Sequence, residues 1–157
     1  GAFGRDNVSV RARIHRPEGG KADMPAVTLY WGKARYVQGG VTNPRSHENR
    51  PHRVRFGARR GGRSKSYGGP EARGVNWVRF DLQPEVVALY ASADGETWKH
   101  IGDVPRKKDF VGAPSHLVLG FGTEEPDSDN TLLRNTSRTY NRGGSTAFFD
   151  EVIVEEM

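Results

Sequence analysis

The chain has no cysteine among its 157 residues, which removes disulfides, thiol nucleophiles and zinc–thiolate sites. It has no run approaching the roughly 18 apolar residues of a membrane span, and no basic-then-apolar signal peptide opens it. No segment sustains helical periodicity, and nothing repeats at intervals of roughly 20–50 residues, so bundles and solenoids are not expected. The chain starts at Gly1-Ala2-Phe3 and stops inside a strand-like run. We therefore expect residues 1–157 to be a single module excised from a longer protein, monomeric and attached to other domains. Twenty glycines and nine prolines, with few long apolar windows, fit a loop-rich β protein.

What is present begins with charge. The net charge is +5 and the pI about 9.7, but the excess is local. Between Asn43 and Arg73 stand nine Arg and Lys (Arg45, Arg50, Arg53, Arg55, Arg59, Arg60, Arg63, Lys65, Arg73) against Glu48 and Glu71, so this segment carries +7 and the rest about −2. A localised positive field favours an anionic partner; the alternative is a loop kept soluble by its charge.

The stretch Trp77–Val104 organises the fold. Val78, Phe80 and Leu82 alternate with Trp77, Arg79 and Asp81, the period of a half-buried strand. Gln83-Pro84-Glu85 breaks the run, alternation resumes over Val87–Ser92, Asp94-Gly95 supplies a turn, and Thr97–Ile101 starts a third strand. Further strands are expected over Asn7–Arg16, Ala26–Trp31, Arg35–Gly39 (ended by Gly39-Gly40), His52–Arg59, Ser115–Gly122 (buried, its glycines suggesting close backbone approach or a bulge) and Ser145–Glu156. Gly61–Gly74 is a glycine-rich basic loop or an unregistered hairpin, and 123–144 is a long irregular stretch, the kind that is either functional or mobile. In the last strand Phe149 and Ile153 fall opposite Phe148, Val152 and Val154. Eight to ten strands without a helix make an all-β, two-sheet antiparallel β-sandwich or jelly roll.

The order VSVRARI, LYWGKARYVQGG, HRVRFGARR, WVRFDLQ…VVALYASADGETWKHIG, LVLGFG and FFDEVIV resembles the concanavalin A-like lectin/glucanase superfamily, in its laminin-G-like bacterial branch. The resemblance spans nearly the whole chain. It implies a jelly roll that often serves as a lectin-like glycan-binding module of secreted carbohydrate enzymes, hence a secreted, cell-surface or periplasmic setting. Some members are adhesion or interaction domains, so the fold alone does not fix the function.

Catalytic signatures are weak. Ser92-Ala93-Asp94-Gly95-Glu96-Thr97-Trp98 is similar to the Asp-box turn of sialidase-type propellers but is one residue short between Asp and Gly and occurs once. It reads better as a hairpin whose Asp94 bonds local amides while Trp98 packs. The superfamily's glucanases carry Glu-x-Asp-x-x-Glu on a central strand; here Glu151 and Glu155 lie four apart without the Asp, as solvated ends. His15, His47, His52, His100 and His116 lack ligand spacing, and no nucleophile elbow is present. We expect no enzyme. A structural calcium is a candidate cofactor, since Asp127 and Asp129 sit in an oxygen-rich loop, although the spacing is not that of an EF-hand and a merely acidic solvated loop is the stronger reading of the same residues. The resemblance implies a second place for the ion, between Asp6 and Asp150.

For ligand binding, Tyr30, Arg53, Arg55, Arg79 and Tyr90 fall on strand faces opposite the apolar stripe, with Tyr36 and Trp98 as further candidates. On a curved sheet these would line one concave surface. Rings pack on sugar C–H groups and arginine forks bind carboxylate or sulfate. The expected function is a non-catalytic carbohydrate-binding module for an acidic or sulfated polysaccharide. The alternatives are a protein–protein or adhesion module, or nucleic-acid binding through residues 43–73, for which no recognised motif is present.

Overall fold

A computed structural model describes residues 6–15, 24–42, 52–72, 74–122 and 148–157. Ten strands account for most of them: β1 (Val8–His15), β2 (Met24–Gly32), β3 (Arg35–Thr42), β4 (Arg53–Arg60), β5 (Arg63–Glu71), β6 (Val75–Leu82), β7 (Val86–Ser92), β8 (Lys99–Pro105), β9 (His116–Gly122) and β10 (Phe148–Glu156). Among the described residues there is no helix. The strands form two five-stranded antiparallel sheets, one ordered β10-β1-β6-β7-β8 (sheet A) and the other β5-β4-β3-β2-β9 (sheet B).

The period-two residues of each strand meet between the sheets. Val8, Val10, Ala12 and Ile14 of β1, Val78, Phe80 and Leu82 of β6, and Val87, Leu89 and Ala91 of β7 face Val27, Leu29, Val37, Val54 and Phe56 of sheet B. Phe56 and Phe80 meet edge-on across the interface, ring centres 5.5 Å apart. Buried side chains of this size each contribute about 1.5–3 kcal/mol of transfer free energy, so the alternation seen in the sequence is the principal determinant of the sandwich. The first and last strands pair along their length, from Val8↔Glu156 to His15↔Phe148, and Met157 N–H donates to the Asn7 carbonyl at 2.8 Å.

Four local readings are corrected or completed by the structure, for identifiable reasons. β3 does not stop at Gly39-Gly40 but runs to Thr42. The glycines are there because the Phe56 ring lies where a Cβ of Gly39 would stand, and the Pro25 carbonyl where a Cβ of Gly40 would stand. Residues 63–71 are strand β5, joined to β4 by a two-residue Gly61-Gly62 turn with Arg60 opposite Arg63. In β10 the register steps from Arg11↔Ile153 to Arg13↔Asp150, so Ala12 faces two residues and Glu151 takes φ +48°. This bulge resets the alternation: Phe149 and Val154 pack on the core, whereas a uniform strand would have put them on opposite faces. Finally, β9 is an edge strand that pairs with β2 without a bulge, and its Leu119 is exposed rather than buried.

Candidate functional site

Sheet A turns a polar and aromatic face away from the core. Strand register places Arg11, Arg79, Tyr90 and His100 in one row across β1, β6, β7 and β8, and Asp150, Arg13, Trp77 and Ser92 in the next. Trp98 joins them from the β7–β8 turn. Ser92 and Asp94 build that turn: Glu96 N–H and Thr97 N–H donate to Asp94 Oδ1 at 2.9 and 2.8 Å, the Ser92 hydroxyl donates to the same oxygen at 2.9 Å, and Gly95 N–H donates to Ser92 Oγ at 2.8 Å. The Thr97 amide and then the Glu96 amide hold the Asp94 carboxyl down at about 2. Gly95, at φ +79°, passes so close to the Trp77 ring that a Cβ would lie 2.7 Å from it. The turn therefore seats Trp98 edge-on to Trp77, ring centres 6.4 Å apart.

Arg79 is the centre of this face. Its guanidinium lies 5.0 Å from the Tyr90 ring centre and 5.4 Å from that of Trp98, and Tyr90 in turn lies 5.2 Å from the His100 ring. Nε and Nη2 donate to the buried Asp81 carboxylate at 2.7 and 2.6 Å, which raises the Arg79 pKa. Arg13 lies over Trp77 at 5.8 Å and donates two hydrogen bonds to Asp150 at 2.8 and 2.6 Å. Arg11 pairs with Glu155 at 3.4 Å, and Arg13 reaches Glu151 at 3.3 Å. The arginines of this face are thus neutralised locally, so it presents rings and oriented hydrogen-bonding groups rather than net positive charge. Arg79 and Trp98 work as one cation–π unit. Asp150, lowered to about 2 chiefly by the Arg13 hydrogen bond, accepts hydrogen bonds but does not carry a proton to donate at neutral pH.

The seven expected ligand residues do not share one surface. Arg79, Tyr90 and Trp98 lie on the outer face of sheet A, whereas Tyr30, Tyr36, Arg53 and Arg55 belong to β2, β3 and β4 of sheet B, with the core between. The parity of each strand was legible, but which sheet it joined depended on long-range pairing. Tyr36, with Thr28 and Gln38, is buried at 1–2% exposure, so its ring has no face open to a ligand. Tyr30 is half-buried beside His116, ring centres 6.1 Å apart; Arg55 donates to Ser66 Oγ at 3.0 Å, and Arg53 is exposed. Arg13 and Trp77 were missed because β1 becomes the neighbour of β6 only in the folded sheet, and His100 because it reads as one of five histidines without ligand spacing until β8 sets it beside Tyr90.

The expected calcium pair does not assemble. Asp6 sits beyond the Val8 end of β1, where Arg106 Nη1 donates to it at 2.6 Å. Asp150 faces Arg13 at the other end, on the order of 20 Å away at strand spacing. Asp127 and Asp129 lie outside the described residues, among which no group of three or more His, Asp or Glu side chains is placed to hold a metal ion. Arg106 is itself structural: it is 4% exposed and donates to the carbonyls of Phe110, Gln83 and Gly112 at 2.7, 2.8 and 2.6 Å. The described residues include no helix long and apolar enough to cross a membrane.

No family model and no curated protein matches the chain. Solved structures do. A functionally unknown protein from Saccharomyces cerevisiae matches with TM-score 0.66 and 13% identity, over 98% of this chain and 71% of that one. The bifunctional GH43-CE protein of Bacteroides eggerthii matches with TM-score 0.64 and 16% identity, over 96% of this chain and 17% of that one. The xylan β-1,4-xylosidase of Bacillus halodurans matches with TM-score 0.61 and 16% identity, over 95% and 27%. The chain thus spans only 17% and 27% of the lengths of those two chains. At these identities the likeness is one of fold, and it agrees coarsely with a concanavalin A-like jelly roll. It also overturns the expectation of no enzyme. Chains described as glycoside hydrolases carry this same two-sheet architecture, so the architecture gives no ground for setting catalysis aside.

Proposed function

We propose that this chain is a carbohydrate-binding domain of a longer, secreted or surface-exposed carbohydrate-active protein, and that it favours acidic or sulfated polysaccharide. The observation that carries the reading is the Arg79 guanidinium held between Tyr90 and Trp98 on the outer face of sheet A. A half-buried tryptophan braced by a second tryptophan offers a rigid apolar plane for sugar C–H groups, at little cost in side-chain entropy. Asp150 and Glu155 beside it accept hydrogen bonds from hydroxyls. The acidic preference rests on the β4–β5 hairpin, where six cations (Arg53, Arg55, Arg59, Arg60, Arg63, Lys65) stand against Glu71. Their field steers a polyanion toward the domain and weakens with salt. The similarity to glycoside-hydrolase chains supports polysaccharide over protein or nucleic acid as the partner.

The test is affinity electrophoresis of the wild type and Trp98→Ala in neutral xylan, glucuronoxylan and dextran sulfate. The wild type is expected to be retarded, and Trp98→Ala to lose at least about tenfold in affinity, about 1.4 kcal/mol, with its melting temperature nearly unchanged. A wild type that none of these polymers retards, or that binds only nucleic acid, refutes the reading.

A further inference from the structure

β5 and β8 are the outer strands of the two sheets, and they come together along one edge of the sandwich. The Tyr67 ring lies against Gly102, and its hydroxyl donates to the Asp103 carbonyl at 3.4 Å. The cations of the β4–β5 hairpin are not equivalent there. Arg60 pairs with Asp109 at 3.2 Å, donates to the Pro105 carbonyl and lies 4.7 Å from the Phe110 ring centre. Arg59 is buried, bonded to the Gly61 carbonyl and Ser64 Oγ. Arg63 and Lys65 are exposed, and among the described residues neither has a carboxylate at ion-pair distance. Arg63 stands directly opposite Arg60 in the ladder, and because Asp109 compensates Arg60, the exposed charge of that pair is the one on Arg63. Lys65 lies two residues along on the same side, about 7 Å away, its ammonium 4.9 Å from the Tyr67 ring centre.

From Lys65 a chain of contacts leads round the edge onto the outer face of sheet A. It passes through Tyr67 to Asp103, whose carboxylate is 2.8 Å from His100 Nε2, and on through His100 to Tyr90 and then Arg79 and Trp98. The strip extends on the order of 20 Å, two strand spacings plus the crossing between sheets, a length suited to an oligosaccharide rather than one sugar. We propose that Arg63 and Lys65 form an acid-group subsite at this edge, taking the carboxylate or sulfate of a saccharide chain whose other rings lie on Tyr90 and Trp98. The proposal rests on the carbohydrate reading above and specifies where its charge selectivity resides. Guanidinium and ammonium side by side give the subsite a bidentate fork and a point charge for one anion.

The experiment compares Arg63→Gln/Lys65→Gln with wild type and with Lys107→Gln/Lys108→Gln, which removes the same charge from the neighbouring exposed turn that carries Asp109. Binding to glucuronoxylan, dextran sulfate and neutral xylan is measured at two salt concentrations. The edge variant is expected to lose about tenfold for the two acidic polymers together with most of the salt dependence, and to bind neutral xylan within about twofold of wild type. The turn variant stays within about twofold throughout. If both variants weaken acidic binding equally, or the edge variant matches wild type, the subsite is refuted while the carbohydrate reading stands. If the wild type binds no polymer, the underlying reading has failed instead. Amide shifts on titrating the wild type with acidic xylo-oligosaccharide report without substitution: movement at residues 63–67 and 99–103 is expected, and movement confined elsewhere overturns the assignment.

Discussion

Arg13 and Asp150 face each other across the β1–β10 ladder in a two-pronged ion pair, Nε to Oδ1 at 2.8 Å and Nη2 to Oδ2 at 2.6 Å, joining residues 137 positions apart. The pair clasps the first strand to the last. The Arg13 hydrogen bond, reinforced by His15, lowers the Asp150 pKa from 3.8 to about 2.

A depressed carboxyl pKa stabilises the fold above the unfolded value and ceases to do so as pH falls through the folded one. Asp150 and Asp94, both near 2, are therefore expected to make the melting temperature fall as pH drops from about 4 to about 2. Asp150→Asn should lower the neutral-pH melting temperature by a few degrees and flatten the acid limb, with Asp94→Asn flattening it further. An acid limb unchanged in Asp150→Asn would remove this pair from the account.

Arg106 replaced by Met keeps volume but strands the carbonyls of Phe110, Gln83 and Gly112 and the Asp6 carboxylate. Loss of a buried guanidinium with this many partners is expected to cost about 3 kcal/mol in urea unfolding. Lys107→Met, one residue on and exposed, should stay within about 0.5 kcal/mol.

Gly39→Ala forces a methyl into the Phe56 ring, with Phe80 close behind at 3.0 Å. Overpacking of this kind costs about 1–3 kcal/mol. Pairing Gly39→Ala with Phe56→Leu should recover part of the loss, which a double-mutant cycle by urea unfolding would measure.

Arg53 is exposed at the Thr42 end of β4, away from the β5–β8 edge subsite. Arg53→Ala is expected to slow association with acidic polysaccharide about twofold in stopped-flow measurements, leaving dissociation and melting temperature unchanged, as for a charge that steers without touching.

Much of the fold was legible in local pattern. The alternation of β1, β6 and β7, the Asp94-Gly95 turn and the absence of helix among the described residues all follow from residues within a few positions of one another. What was hidden depended on distant contacts. Residues 61–74 read as either a loop or a hairpin because Gly68, Gly69 and Ser66 lower strand propensity, and pairing with β4 decides for the hairpin. Gly39-Gly40 reads as a stop because the Phe56 ring and the Pro25 carbonyl that require glycine there come from other strands. The same limit governs the candidate site. Tyr30, Arg53 and Arg55 fall opposite the apolar stripe by parity, yet outward from sheet B and outward from sheet A are opposite directions. Arg106 is followed in sequence by Lys107 and Lys108, and only the folded turn gives it carbonyls to bind.

The hydrogen bond from Met157 to Asn7, at the end where Val8 meets Glu156, has a mechanical corollary. Tension applied between these two residues opens the β1–β10 ladder like a zipper, one rung at a time, instead of shearing all its bonds together. The joint yields to small forces when pulled in that direction, and the Arg13–Asp150 clasp is the rung at which such peeling should pause.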